Sequence, residues 1–174
     1  LTIDSKLQIA ANTAIKKGLE SYDKRHGYRP VTQTIPENQL LNTPELIKQL
    51  KKTKTSTNNQ AAIVLEINKD KALLLIKDGS KVSLSLKQAE WAAPYLTVDR
   101  IGKKPKSLLD IIQLGDIIEI KAEIIAVIDT NPLDTEANEN LKPNTNTDKI
   151  VWKLTQTPDV QGALISIAPK NGAI

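Results

Sequence analysis

The sequence predicts a mainly β fold: a small five-stranded barrel with short helices, flanked by an N-terminal helix and a C-terminal strand. Three observations predict it. Strict alternation over Lys81-Val82-Ser83-Leu84-Ser85-Leu86-Lys87 puts Val82, Leu84 and Leu86 on one face of a half-buried strand. Asp78-Gly79 separates this run from Ala72-Leu73-Leu74-Leu75-Ile76, which is apolar on both faces, and supplies the φ > 0 residues of a two-residue hairpin turn. Between Ile118 and Ile128 every even position is apolar (Ile118, Ile120, Ala122, Ile124, Ala126, Ile128), while Glu119, Lys121 and Glu123 face the other way. A strand this long can pair with two partners.

Composition narrows the class. A chain of 174 residues has room for one good core, or for one domain plus the edges of its neighbours, and the elements favour the second. Apolar residues make up 40%, yet Phe is absent and aromatics are 3%, so the core is built from Ile, Leu, Val and Ala. The lack of Cys excludes disulfides and thiolate metal sites. Net charge is +4, but the lysines are interspersed with Asp and Glu and read as solvated faces, not the footprint of a polyanion. No apolar run approaches the roughly 18 residues of a membrane helix, and no basic-then-apolar leader precedes Leu1, so the chain is expected to be soluble as it stands, with no membrane contact.

In chain order, Leu1-Thr2-Ile3 is a short extended segment, and Ser5 with Gln8 has the form of a capping box that starts a helix. Leu7, Ala10, Ala11, Ala14, Ile15, Leu19 and Tyr22 then form one helical stripe that must dock on something, and Gly27 and Pro30 end the helix. Residues 31–60 are polar and poorly periodic except for a short helix over Thr43 to Leu50, with Thr43 at its cap and Pro44 at its first position. Lys51 to Asn59 reads as a flexible connection. Ala61 to Ile67 pairs with Ala72 to Ile76 across the polar turn Asn68-Lys69-Asp70-Lys71, completing a three-stranded meander. Lys87 to Ala93 forms a short helix that carries Trp91, plugs one mouth of the barrel and ends at Pro94. Ser107 to Leu114 offers another helical turn, Gly115-Asp116 opens the long strand, and Asp129 to Lys149 reads as a mobile loop. Ile150 to Leu154 is a strand that could close the barrel, which gives the element order of an oligonucleotide/oligosaccharide-binding (OB) fold. Gly162 to Ile167 is one more strand, and the turn Pro169 to Gly172 leads into the start of a return strand.

Both ends and the middle resemble one family. Leu1 to Gln8 with Ala11 and Ala14 resembles the opening of the transpeptidase region of high-molecular-mass penicillin-binding proteins. Tyr22-Asp23-Lys24-Arg25-His26-Gly27-Tyr28-Arg29 is similar to a motif of bifunctional class A enzymes of the 1a type, although these usually carry a Gly between the residues that are here Arg29 and Pro30. Val160 to Ile167 with Pro169 to Ala173 is similar to the first strand and turn of their transpeptidase sheet. The resemblance implies a partition into 1–30 (strand-helix start of the transpeptidase or linker region), 31–60 (partly helical, flexible connection), 61–157 (OB-like domain) and 158–174 (transpeptidase edge strand and turn). It also implies a parent that polymerises and cross-links peptidoglycan, anchored in the bacterial inner membrane with its bulk in the periplasm. The OB-like insert is implied as a docking site for an outer-membrane lipoprotein activator, in contact with the flanking catalytic domains.

Chemistry is not expected in this stretch, and no catalytic, cofactor-binding or metal-ligating residue is assigned. Ser21-Tyr22-Asp23-Lys24, Ser56-Thr57-Asn58 and Lys170-Asn171-Gly172 loosely match the Ser-x-x-Lys, Ser-x-Asn and Lys-Thr-Gly elements of a transpeptidase. Ser21, however, falls near the exposed end of a helix, Ser56 in a charged linker and Lys170 in a turn. His26 is the single histidine and reads as a helix-end residue; Glu119 and Glu123, with Lys121 between them, read as solvated cross-strand partners. Single-stranded nucleic acid is the rival ligand for an OB fold, but such binding leans on stacked aromatics worth roughly 1–3 kcal/mol per base. Here Trp91, Trp152 and three tyrosines are scattered. The reading is a non-catalytic docking domain; the alternatives are a passive spacer between catalytic domains or a single-stranded nucleic-acid-binding domain.

Overall fold

In a computed structural model, which describes residues 4–56, 58–127, 147–167, 170 and 172, helix α1 (Ser5–Arg25) comes first. Asp4, not the expected Ser5, is its cap: Asp4 Oδ1 accepts from the N–H groups of Lys6 (2.8 Å) and Leu7 (3.2 Å). A carboxylate one residue earlier reaches the same free donors and adds a full charge to the positive helix end. Gly27, at φ 96°, turns the chain out of the helix where the sequence places the stop. The apolar stripe is covered only in part by the described residues: Ala11, Ile15 and Leu19 are half-buried, Leu7 and Tyr22 are exposed, and Asp23 is the one buried residue of the helix.

Helix α2 (Thr43–Lys52) also starts one residue earlier than expected, with Asn42 as its cap. Leu46 and Leu50, one turn apart, are buried against Ile63 and Leu75. Each such leucine contributes roughly 1.5–3 kcal/mol of burial, which fixes a short helix that would not persist alone.

The meander forms as predicted from β1 (Gln60–Ile67), β2 (Lys71–Ile76) and β3 (Lys81–Ser85), all antiparallel. Its second turn has three residues instead of two. Leu75 pairs with Lys81, Ile76 N–H donates to Ser80 O at 3.0 Å, and Gly79 sits at φ 89°. A three-residue loop needs one left-handed residue where a type I′ two-residue turn needs two, and Gly79 supplies it.

Helix α3 (Leu86–Ala89) is shorter than expected, and Trp91 lies in the turn beyond it. Tyr28 claims the following backbone, donating its N–H to Ala93 O (2.7 Å) and accepting from Tyr95 N–H (2.9 Å), so helical bonding cannot continue. A small hairpin follows that the sequence reading did not contain: β4 (Tyr95–Thr97) with β5 (Arg100–Ile101). The turn of helix expected after Ser107 is a 3-10 turn over Leu108–Asp110.

The long strand β6 (Ile117–Val127) has two partners, as predicted: β1 along Ile117 to Ile120, and β7 (Thr147–Thr155) along Glu119 to Val127. The sheet order is β3-β2-β1-β6-β7, an OB-like five-stranded arrangement with its helix between the third and fourth strands. Hydrogen bonding does not close the barrel. Between β3 and β7 the gap is filled by α3 and by Trp91, whose indole N–H donates to Leu154 O at 3.0 Å.

Because β1 and β2 are apolar on both faces, they separate two cores. Ala62, Val64, Leu74 and Ile76 face the barrel interior with Leu84, Leu108, Ile120 and Leu154, while Ile63 and Leu75 face α2 and Ile35. The polar stretch before α2 is tied to the sheet by Ile35 N–H to Gly115 O (2.9 Å) and Ile117 N–H to Gln33 O (3.0 Å).

Two expectations change at the C-terminal side. Residues 162–167 form no strand, and Leu164, Ile165 and Ile167 are exposed; a strand exists through its ladder partner, and none of the described residues pairs with this segment. Of the expected loop from Asp129 to Lys149, residues 147–149 belong to β7 and the remainder lies outside the described residues.

Candidate interaction surfaces

Where the chain passes from α1 into the barrel and where it leaves β7, one polar node holds the two passages together. Asp23, 4% exposed, accepts from Arg29 Nη1 (2.7 Å) and Nη2 (3.2 Å) and from Gln156 Nε2 (2.7 Å). Gln156 Nε2 also donates to Gly27 O (2.8 Å), and its Oε1 accepts from Arg29 N–H (3.0 Å). Arg29 further donates to Thr157 O (2.6 Å) and pairs with Asp159 (3.1 Å). A planar guanidinium can do this because its donors leave in several fixed directions at once. Nothing local in the sequence announces this node, since Asp23 and Gln156 are 133 positions apart.

The second surface is the far half of β6 and β7. Beyond Ile120 the pairing with β1 has ended, so the two strands continue as a ribbon of their own. The apolar even positions of β6 share one face, as the alternation predicts. Ile118 and Ile120 are indeed buried, but Ile124 is 68% exposed, and so is its cross-strand partner Ile150 at 58%. Ile125, on the opposite face, is exposed too. Alternation predicts which residues share a face; it does not say where the barrel beneath that face stops.

The charged positions of β6 behave as cross-strand and inter-element partners. Glu123 pairs with Lys153, and this hydrogen bond holds its carboxyl below the usual carboxylate range. Lys121 reaches Glu20 of α1 at 2.9 and 3.0 Å. Glu119 accepts from Asn59 Nδ2 (2.6 Å) and from Thr157 Oγ1 (2.8 Å).

The transpeptidase-like triplets do not assemble into a site. Ser21 is exposed on α1, and the Lys24 ammonium lies over the Trp91 ring, 5.3 Å from its centroid. Ser56 and Lys170 are exposed on other segments, while Thr57 and Asn171 lie outside the described residues. His26 caps α1, its Nδ1 2.8 Å from Tyr22 O. Among the described residues no cluster of His, Asp and Glu could hold a metal, and no helix is long and apolar enough to cross a membrane.

Comparison with known proteins agrees with this architecture. The chain is 31% identical over 176 residues to penicillin-binding protein 1A of Escherichia coli, and 27% identical over 173 residues to that of Pseudomonas aeruginosa. Each alignment covers 99% of this chain but 18% of the relative, so the chain spans about a fifth of the length of these proteins. A crystal structure of penicillin-binding protein 1A from Haemophilus influenzae shares the fold, with a TM-score of 0.55 at 24% identity over 90% of this chain and 18% of that one. The family model of the penicillin-binding protein OB-like domain matches residues 28–160, which contain the seven strands of the described residues and α2. That match is to the OB-like domain and not to a glycosyltransferase or transpeptidase domain. By the residues it spans and the sheet it forms, the chain belongs to the penicillin-binding protein OB-like domain family.

Proposed function

We propose that this domain is a non-catalytic docking and regulatory module of a peptidoglycan synthase, contacted by an outer-membrane lipoprotein activator on the β6–β7 ribbon. In this reading the parent polymerises and cross-links peptidoglycan in the periplasm from an inner-membrane anchor, and the domain passes activator binding to its flanking catalytic domains. The observation that carries it is the exposure of Ile124 and Ile150 as a facing pair, with Ile125 exposed behind them, on strands that project past the barrel. Apolar side chains presented on a protruding ribbon are of little use to folding and suit a protein partner. The Asp23–Arg29–Gln156 node supports the regulatory part, because it fixes the incoming and outgoing chain to one point of the domain.

The test is made in the full-length parent. Ile124→Asp with Ile150→Asp is expected to leave basal glycan polymerisation unchanged and to remove its stimulation by the activator. Full stimulation in this variant refutes the ribbon as the docking surface. A spacer role makes a different forecast: replacing residues 61–154 by a rigid insert of equal span would preserve the activator response.

A further inference from the structure

Among the described residues, the polar contacts that fasten α1 to the barrel all lie in its last two turns, at Glu20, Asp23 and Lys24. No strand packs along the helix, and its apolar residues are at most half-buried. Asp23 is locked into the node with Arg29 and Gln156, whereas Glu20, one turn earlier, is held by a single side chain: both its carboxylate oxygens accept from Lys121 Nζ, at 2.9 and 3.0 Å.

Lys121 occupies a particular place on β6. It is the first residue beyond the pairing with β1, so it stands where the barrel gives way to the two-stranded ribbon. Two-stranded ribbons twist more than strands held on both sides. Its cross-strand partner is Lys153, a like-charge pair that is unfavourable by itself. Two acids offset it: Glu123 on Lys153 from within the ribbon, and Glu20 on Lys121 from α1. Burial holds the Lys24 ammonium below its ordinary pKa, with further effects from Glu20, Lys121, Lys153 and Glu123, so charges of the helix and of the ribbon form one network. Taking Glu20 away leaves two facing lysines with one acid. The base of the ribbon therefore depends on where α1 lies, and by linkage the position of α1 depends on the base of the ribbon.

We propose that Lys121 and Glu20 are the positioning residues through which a partner seated on the β6–β7 ribbon changes the placing of α1. The inference rests on the reading of the ribbon as the docking surface. A partner that twists the ribbon moves Lys121, and Glu20 follows it or lets go, while the Asp23 node holds the end of the helix as a pivot. Along the helix axis Glu20 is about 4.5 Å from Asp23 and Ser5 about 27 Å, so a displacement of about 1 Å at Glu20 becomes about 6 Å at the far end.

The experiment is made in the full-length parent with its activator, and stimulation is read as the ratio of activated to basal polymerisation. Lys121→Glu and Glu20→Lys should each lower that ratio at least about fivefold, with activator affinity within about twofold of the natural protein, and the two together, which swap the charges, should restore at least about half of it. Lys121→Gln, which removes the charge without repulsion, should fall between the natural protein and Lys121→Glu. Hydrogen–deuterium exchange reads the helix apart from activity: amides of residues 16–25 should change rate at least about threefold on adding activator in the natural and swapped proteins, and not in the single variants. Full stimulation of Lys121→Glu, a swapped protein no better than the single variants, or a loss of affinity in step with the ratio (the mark of Lys121 as a partner contact) each overturns the proposal. Ile124→Asp with Ile150→Asp separates the two readings. Full stimulation of that variant defeats the ribbon as docking surface, whereas its loss beside full stimulation of Lys121→Glu defeats only the coupling.

Discussion

Arg29 closes the fork of its guanidinium on Asp23, at 2.7 and 3.2 Å, and so joins the end of α1 to the end of β7 through a carboxylate that is 4% exposed. Removing the arginine leaves that carboxylate in a poorly hydrated place with Gln156 as its remaining side-chain partner. Breaking a fully buried pair costs roughly 3–5 kcal/mol. Arg29 keeps 28% of its side chain in water, so Arg29→Ala should cost less, about 2–3 kcal/mol. Urea denaturation measures it, and Arg29→Lys should recover less than half, since an ammonium cannot reproduce the fork.

Two glycines of the same chain should respond oppositely to alanine. At Gly115, φ is 84° and an added Cβ would lie 2.1 Å from Ile35 O, where the backbone of residues 33–35 is bonded to the start of β6. Gly115→Ala should destabilise by about 2 kcal/mol or more through strain and displacement of that segment. Gly18 lies inside α1 with nothing within 4 Å, so Gly18→Ala should raise the helicity of α1 and stabilise by about 0.5–1 kcal/mol. Thermal melts of the two variants should shift in opposite directions.

Isoleucines on one strand, and on one face of it, should differ sharply in what they contribute. Ile120 is fully buried in the barrel core, and Ile120→Ala should cost about 2–5 kcal/mol. Ile124 lies past the end of the barrel, so Ile124→Ser should change stability by no more than about 0.5 kcal/mol. A large loss for Ile124→Ser in chemical denaturation would mean that the ribbon is packed against something and is not a free surface.

Tyr28 makes stability depend on alkaline pH. Burial pushes its phenol well above the ordinary value, and the negative charges of Asp116 and Glu119 add to the effect. The folded state therefore holds this proton at a pH where the unfolded chain has released it. The contribution is fully present below the unfolded value near pH 10 and is lost progressively as pH rises above it. Urea midpoints should fall between pH 9 and 11 for the natural chain, and less steeply for Tyr28→Phe.

The sequence by itself determined the five strands of the main sheet, their antiparallel meander, the glycine stops at Gly27 and Gly79 and the two partners of the long strand, because each depends on a period or a backbone conformation carried by a few adjacent residues. It also held the signal for a second core, in the run from Ala72 to Ile76 that is apolar on both faces, without saying that α2 would cover it. Only the tertiary structure decided that the stripe of α1 is covered in part, that Gly162 to Ile167 pairs with none of the described residues, that the isoleucines of β6 change from core to surface after Ile120, and that Asp23, Arg29 and Gln156 meet. Periodicity tells which side chains share a face. How far the covering element reaches, and which distant donors converge on a buried carboxylate, are fixed by non-local packing and hydrogen bonding that no local pattern encodes.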